Sequence, residues 1–259
     1  MVRLLAGMAG HGSSVAERLR HRVRQPLSCT PILYDAAVLL RPSKRALVVR
    51  RDSALLIEGF PRSANTYSVA AFRVSNGARL HVGRHLHAAA HVGRSVRLGV
   101  PAILLIREPG DAVLSYLIRR PRLTLLDGLR EYVQFYRSTW NLRDQVIIAP
   151  FDRVTADFGS ILDAVNRLRG TNFSPYERTP DNEAACFRLV EEMNMRECGG
   201  EVVESHVGRP SQARSAQKSG LLAEVEVPRV ARLLHAARSL HRRYVAVAEA
   251  QSPGASGKK

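Results

Sequence analysis

The sequence lacks any run of about 18 to 20 consecutive apolar residues, the length a membrane-crossing helix requires. Its best short runs, Ala102-Ile106 and Val146-Ile148, are the length of strands. A soluble protein is the expectation. Cysteine is equally scarce. Cys29, Cys186 and Cys198 are odd in number, with no CxxC pair and no histidine at metal spacing. Neither a disulfide framework nor a structural zinc site is indicated, and a reducing compartment, the cytoplasm, fits best. Lysine is nearly missing: only Lys44, Lys218, Lys258 and Lys259 are lysines among the 39 basic residues. Aromatic residues make up 6% of the chain and none are interleaved with the basic stretches as a base-stacking set would be. No N-terminal apolar segment followed by small residues marks a secretory signal.

What is present is an ordinary globular balance, 259 residues with 45% hydrophobic and 24% charged side chains, enough for one sizeable core. The formal net charge is +16. Such a field favours anionic partners, whether nucleotides, sulfated or phosphorylated small molecules, nucleic acid or an acidic membrane surface, without choosing among them. An arginine-biased composition serving solubility is the bland alternative.

Residues 1–51 carry ten Lys/Arg against Glu17 and Asp35, with a basic stretch Arg18-Leu19-Arg20-His21-Arg22-Val23-Arg24 and Pro26, Pro31 and Pro42. They read as a weakly structured basic arm, with a transit peptide as the rival reading. Order is expected from near Ala54, in a domain over residues 52–250. Ala54-Glu58 is a short apolar run, Thr66-Val74 has helical spacing, Arg79-Val82 suits a second strand and Leu86-Leu98 a helix. Ala102-Ile106 reads as a buried strand, Asp111-Arg119 as a helix, Val146-Ala149 as a strand and Gly159-Leu168 as a helix. Strands of four to six residues alternating with helices imply an α/β fold of three layers around a central, mostly parallel sheet. After Gly170 the strands stop. Glu183-Met195, Ser211-Leu222 and Pro228-Ala248 read as helices, giving a helical C-terminal part, and residues 251–259 as a disordered tail.

Ligands of open α/β sheets sit beyond the carboxyl ends of the strands, where helix N-termini aim N–H groups at one crevice. Two loops qualify. The first is Gly59-Phe60-Pro61-Arg62-Ser63-Ala64-Asn65-Thr66-Tyr67. On the phosphate-loop template of nucleotide hydrolases, Ala64 stands for the second glycine, Asn65 replaces the lysine and Thr66 keeps the hydroxyl. Loss of the lysine argues against an NTP hydrolase, yet the cradle survives. Small residues let backbone N–H groups approach an anion, and Arg62, Ser63 and Thr66 supply side-chain donors. The second loop is Arg107-Glu108-Pro109-Gly110-Asp111, with Ser115 on the following helix. Arg107 at the end of a buried strand wants an anion, although Glu108 or Asp111 could pair with it. Capping of a plain strand-helix turn is the alternative for the first loop.

These residues together resemble a family, the PAPS-dependent sulfotransferases, whose fold is related to that of P-loop NTPases. The first loop is similar to that family's 5′-phosphosulfate-binding loop, written as glycine or tyrosine, proline, lysine or arginine, serine, glycine, threonine, threonine. Arg107 and Ser115, eight apart, resemble its 3′-phosphate signature. Val146-Ile147-Ile148-Ala149-Pro150-Phe151-Asp152 resembles a later family strand, and His206-Val207-Gly208-Arg209-Pro210-Ser211 with Arg214 and Lys218 is similar to the C-terminal segment of bacterial members. The resemblance spans roughly Ala54 to Val247 and is weak between Arg120 and Val146. Ala64 for glycine, Asn65 for threonine and Arg62 for lysine are departures.

The resemblance implies transfer of a sulfuryl group from 3′-phosphoadenosine 5′-phosphosulfate (PAPS) to a hydroxyl or amine of a carbohydrate, lipid or small-molecule acceptor, with no metal required. Arg62, Ser63, Ala64, Asn65 and Thr66 would hold the 5′ end of PAPS, Arg107, Ser115 and Arg209 the 3′-phosphate, and Arg62 would meet charge on the leaving oxygen. A histidine would act as base. Family spacing favours His85, twenty-two residues before Arg107, with His87 the rival. His81 and His91 lie in the same stretch, and for all of these, most of all His91, a surface histidine at a helix start is the alternative. Arg120-Leu126, Tyr132-Trp140 and Arg178-Gly200 are the expected acceptor loops. Two other classes stay open: a P-loop kinase or NTPase, and a catalytically weakened anion- or nucleic-acid-binding module with no specific nucleic-acid motif.

Overall fold

The structure is a computed structural model that describes residues 28–31, 34, 42–197 and 227–252. Four parallel strands form its sheet: β1 (Leu55–Gly59), β2 (Val82–Arg84), β3 (Ala102–Ile106) and β4 (Ile147–Pro150), in the order β2-β1-β3-β4. Leu56 pairs with Gly83 on one side and Ala102 on the other, and Ile103 pairs with Ile147. The helices are α1 (Asn65–Asn76), α2 (Ala89–Leu98), α3 (Pro109–Arg119), α4 (Leu125–Thr139), α5 (Phe151–Ala156), α6 (Phe158–Arg169), α7 (Pro180–Glu197) and α8 (Pro228–Ala250).

Strand side chains alternate between faces, so a strand buried on both sides must be apolar throughout. β3 obeys this. Its Leu104 and Ile106 join Leu56, Val113, Tyr132, Tyr136 and Leu234 on one face, while Ile103 and Leu105 join Ile57, Phe72, Leu162 and Cys186 on the other. This is the expected three-layer α/β architecture, with an all-parallel sheet and helices after the last strand.

Three boundaries differ from the sequence reading. The second strand falls at Val82–Arg84, because Leu55 to Ile57 of β1 pair with Val82 to Arg84 and residues 79–81 precede the ladder. The folded part extends upstream of Ala54. A 3-10 helix spans Pro42–Leu47, Val48 and Val49 are buried, and the Val49 N–H donates to His91 Nε2 at 2.8 Å. Tyr132-Trp140, expected as an acceptor loop, lies mostly in α4. Thr124 and Asp127 form a capping box there, and Leu129, Tyr132, Val133 and Tyr136 give it a buried stripe.

At the other end, the expected tail starts no earlier than residue 253. Gln251 is anchored: its Oε1 accepts from the Ile148 N–H at 2.8 Å and its Nε2 donates to the Val146 carbonyl at 2.9 Å, which satisfies the edge of β4. The basic stretch Arg18 to Arg24, the helix expected over Ser211-Leu222, and Arg209, Arg214 and Lys218 lie outside the described residues.

Candidate functional site

Two turns at the carboxyl ends of β1 and β3 meet. The first must pass close to its neighbour: a Cβ on Gly59 would stand 2.6 Å from the Leu105 carbonyl oxygen, so only glycine fits there. The chain then takes left-handed backbone at Arg62 (φ 70) and Ala64 (φ 68) before entering α1. Alternating conformations of this kind turn successive N–H groups into one concavity, a nest suited to an anion. Ala64 is the N-cap of α1 and no side chain caps that first turn. The positive end of α1 therefore faces the same concavity.

The side chains of the loop divide into two sets. Ser63 and Asn65 are buried, Asn65 Nδ2 donating to the Phe60 carbonyl at 3.0 Å to brace the turn. Asn65 Oδ1 is buried with no hydrogen-bond partner among the described residues, and the Ser63 side chain lies beside the Tyr136 hydroxyl. Arg62 and Thr66 are partly exposed. Their side chains, with the backbone of Ser63, Ala64 and Asn65, form the accessible lining.

The second turn locks onto the first. Arg62 Nε donates to Ser115 Oγ at 2.9 Å, and one Arg107 guanidinium N–H donates to the Arg62 carbonyl at 3.0 Å. The Arg107 guanidinium stacks over Phe151 at 4.0 Å from the ring centroid, and the Tyr132 hydroxyl donates to the Arg107 carbonyl at 2.8 Å. Burial lowers Arg107 from its ordinary value while Asp111, Asp152 and Glu108 push the other way. It remains a cation, since an arginine starts far above neutral pH. Glu108 caps α3 through the Asp111 N–H at 2.8 Å and pairs with Arg238 of α8 at 2.9 Å, tying the last helix to this rim.

The histidines lie after β2. His85 (φ 56) and His87 (φ 49) also have left-handed backbone, and their rings are 6.2 Å apart. His87 Nδ1 donates to the Gly59 carbonyl at 2.8 Å, which ties it to the first turn. The Nε2 atom of His85 is buried. His91, expected at the surface, is instead wholly buried, because its ring bridges β1 and the segment before it.

Glu58 was not singled out by the sequence reading, although a lone carboxylate in the apolar run Ala54-Glu58 was its signal. It is fully buried. Its Oε2 accepts from His91 Nδ1 at 2.9 Å and from the Leu86 N–H at 3.1 Å, and its Oε1 lies 3.3 Å from the Gly59 N–H and 3.5 Å from His87 Nδ1. Burial alone would raise this carboxyl, but the His91 hydrogen bond and then the charge of His87 leave it below its ordinary value. Tyr132 and Tyr136 were likewise unforeseen supports, their signal an aromatic at helical spacing that reads equally as core, while Phe151 had been named only within the segment Val146-Asp152.

The fold and the site define a three-layer α/β protein in which Arg62, Arg107 and the N-terminus of α1 meet at the carboxyl edge of a parallel sheet. No family model matches the chain, and no curated protein matches it. Among solved structures it is similar to mouse sulfotransferase SULT7A1 complexed with PAP, with a TM-score of 0.39 and 13% identity, covering 74% of this chain and 91% of that chain.

Proposed function

We propose that this protein transfers a sulfuryl group from PAPS to a hydroxyl or amine of a carbohydrate, lipid or small-molecule acceptor. One observation carries the reading. The two loops proposed for the two phosphate ends of PAPS form a single rim, joined by the Arg62 to Ser115 and Arg107 to Arg62 hydrogen bonds, with His87 hydrogen-bonded to the foot of the same rim.

PAPS would supply the sulfuryl group on a mixed anhydride with its 5′-phosphate. The N–H groups of Ser63, Ala64 and Asn65, the Thr66 hydroxyl and the α1 N-terminus bind that phosphate. Buried Ser63 and Asn65 act through their backbone, Asn65 also holding the loop's shape. Arg107 with Ser115 binds the 3′-phosphate, and Arg209 is a further candidate outside the described residues. Arg62 stabilises the charge that builds on the bridging oxygen as the S–O bond breaks. A histidine takes the acceptor's proton as the new bond to sulfur forms.

Between the two candidates, the anchoring of His87 favours it as that base. Its Nδ1 carries the proton given to the Gly59 carbonyl, which leaves Nε2 as the basic nitrogen. His85, whose Nε2 is buried, is the alternative. Among the described residues no helix is long and apolar enough to cross a membrane. Cys29 and Cys186 are free thiols, which supports a reducing, cytoplasmic setting.

Thermal-shift comparison of PAP, PAPS, ATP with magnesium and single-stranded DNA tests the reading. Stabilisation by PAP and PAPS without magnesium is expected, together with a loss of PAP affinity of about a hundredfold in Arg107→Ala. Stabilisation by ATP with magnesium alone, or Arg107→Ala binding PAP as the wild type does, overturns it.

A further inference from the structure

We infer that Glu58 is a positioning residue of the site: it faces the protonated Nδ1 of His87 and raises the basicity of its Nε2. The role of His87 as a base rests on the sulfuryl-transfer reading, while the geometry of the pair does not.

The argument starts from charge. A fully buried carboxylate must meet either a cation or a full set of hydrogen-bond donors. Glu58 receives the Leu86 N–H, the Gly59 N–H and His91 Nδ1. His91 cannot be its counter-ion. The Val49 N–H donates to His91 Nε2 at 2.8 Å, so that nitrogen holds a lone pair, Nδ1 holds the proton and the ring is neutral. The negative charge of Glu58 is thus left to the groups on the other side. His87 Nδ1 is 3.5 Å from Oε1, and unlike Glu58 and His91 its side chain reaches solvent, at 26% exposure.

The two contacts of His87 Nδ1 reinforce one another. The Gly59 carbonyl accepts only, so Nδ1 keeps its proton in both charge states of the ring. Glu58 then stabilises the imidazolium formed when Nε2 takes a proton, because its charge lies within the roughly 4 to 6 Å over which an ion pair shifts a histidine. Among the described residues, the other titratable groups facing the pair are His85 from the same turn, His91 from α2 and the Tyr136 hydroxyl from α4. None is an anion at neutral pH. Glu58 is the carboxylate among the described residues that lies within ion-pair reach of His87. The left-handed backbone of both His85 and His87 is the strain accepted to bring this turn over the end of β1.

The experiment is a nitrogen-15 NMR titration of the histidines in the full chain and in Glu58→Gln, from about pH 5 to pH 9. In the wild type, neutral His87 is expected as the Nδ1–H tautomer. In Glu58→Gln the His87 midpoint is expected to fall by about one unit. The acidic limb of the kcat profile should move down with it, and kcat at neutral pH should fall about three- to tenfold with the acceptor KM unchanged. A neutral His87 protonated on Nε2 overturns the proposal. So does a folded Glu58→Gln protein, still stabilised by PAP, in which neither the midpoint nor the limb moves. Should Glu58→Gln fail to fold, the same titration of Glu58→Asp, whose shorter side chain draws the carboxylate away from His87 Nδ1, decides in its place, and a midpoint as high as in the wild type overturns the proposal. Absence of PAP stabilisation and of sulfation, with tautomer and midpoint as expected, removes the sulfuryl-transfer reading and leaves the Glu58–His87 assignment supported.

Discussion

Among the described residues, the non-glycine positions with positive φ are Arg62, Ala64, His85 and His87, and all four fall in the turns that follow β1 and β2. Left-handed backbone at a residue with a Cβ costs about 1 to 2 kcal/mol. A strained conformation survives only where its surroundings determine it, and here the surroundings are the anion cradle and the histidine turn. At Ala64 the side chain adds nothing to that cradle, since it makes no cap for α1. Replacing it by glycine removes the strain at the cost of a more flexible unfolded chain, and the net expectation is a gain of about 0.5 to 1 kcal/mol. Urea unfolding of Ala64→Gly measures it. A loss of stability would mean that the Ala64 methyl packs better than its backbone suffers.

Three strands of the sheet were legible in the sequence because they are apolar runs bounded by turn residues, and β1, β3 and β4 lie where Ala54-Glu58, Ala102-Ile106 and Val146-Ala149 put them. α4 was not, despite its two start signals. Thr124 Oγ1 accepts from the Asp127 N–H at 3.2 Å, and Asp127 Oδ2 receives the Thr124 hydroxyl at 2.8 Å and the Thr124 N–H at 3.3 Å. The pattern is a capping box with aspartate in place of the usual glutamate, set at the head of a stretch whose two arginines, Arg130 and Arg137, and three aromatics suggest an exposed loop. Burial of Tyr132 and Tyr136 beneath the site converts that stretch into core, and they brace β3 through the Arg107 and Leu105 carbonyls at 2.8 and 2.7 Å. Thr124→Ala should therefore cost about 1 kcal/mol of stability, read as a lower urea midpoint with unchanged slope. A variant that unfolds at the wild-type midpoint would show that α4 is held by packing alone.

At the scale of the molecule, what the sequence concealed is contact across the βαβ connection. The loop from Gly59 to Thr66 and the turn at Arg107 are each local in sequence, and spacing alone could nominate them. Glu58 and His91 are 33 residues apart and meet only because α2 folds back beside β1. That buried pair carries a pH dependence whose sign is fixed by linkage. Glu58 is held below its ordinary carboxyl value of 4.5, so its charge is worth more to the folded chain than to the unfolded one. The stabilisation is complete above that ordinary value and is lost as pH falls through the lowered one. The stability difference between wild type and Glu58→Gln should accordingly widen by about 1.4 kcal/mol as His87 gains its proton between about pH 8 and pH 5, and close only in more acid solution. Denaturant unfolding at a series of pH values measures that difference. Were the gap to close between pH 7 and 6 instead, protonation of a histidine, and not of Glu58, would be what loosens the fold.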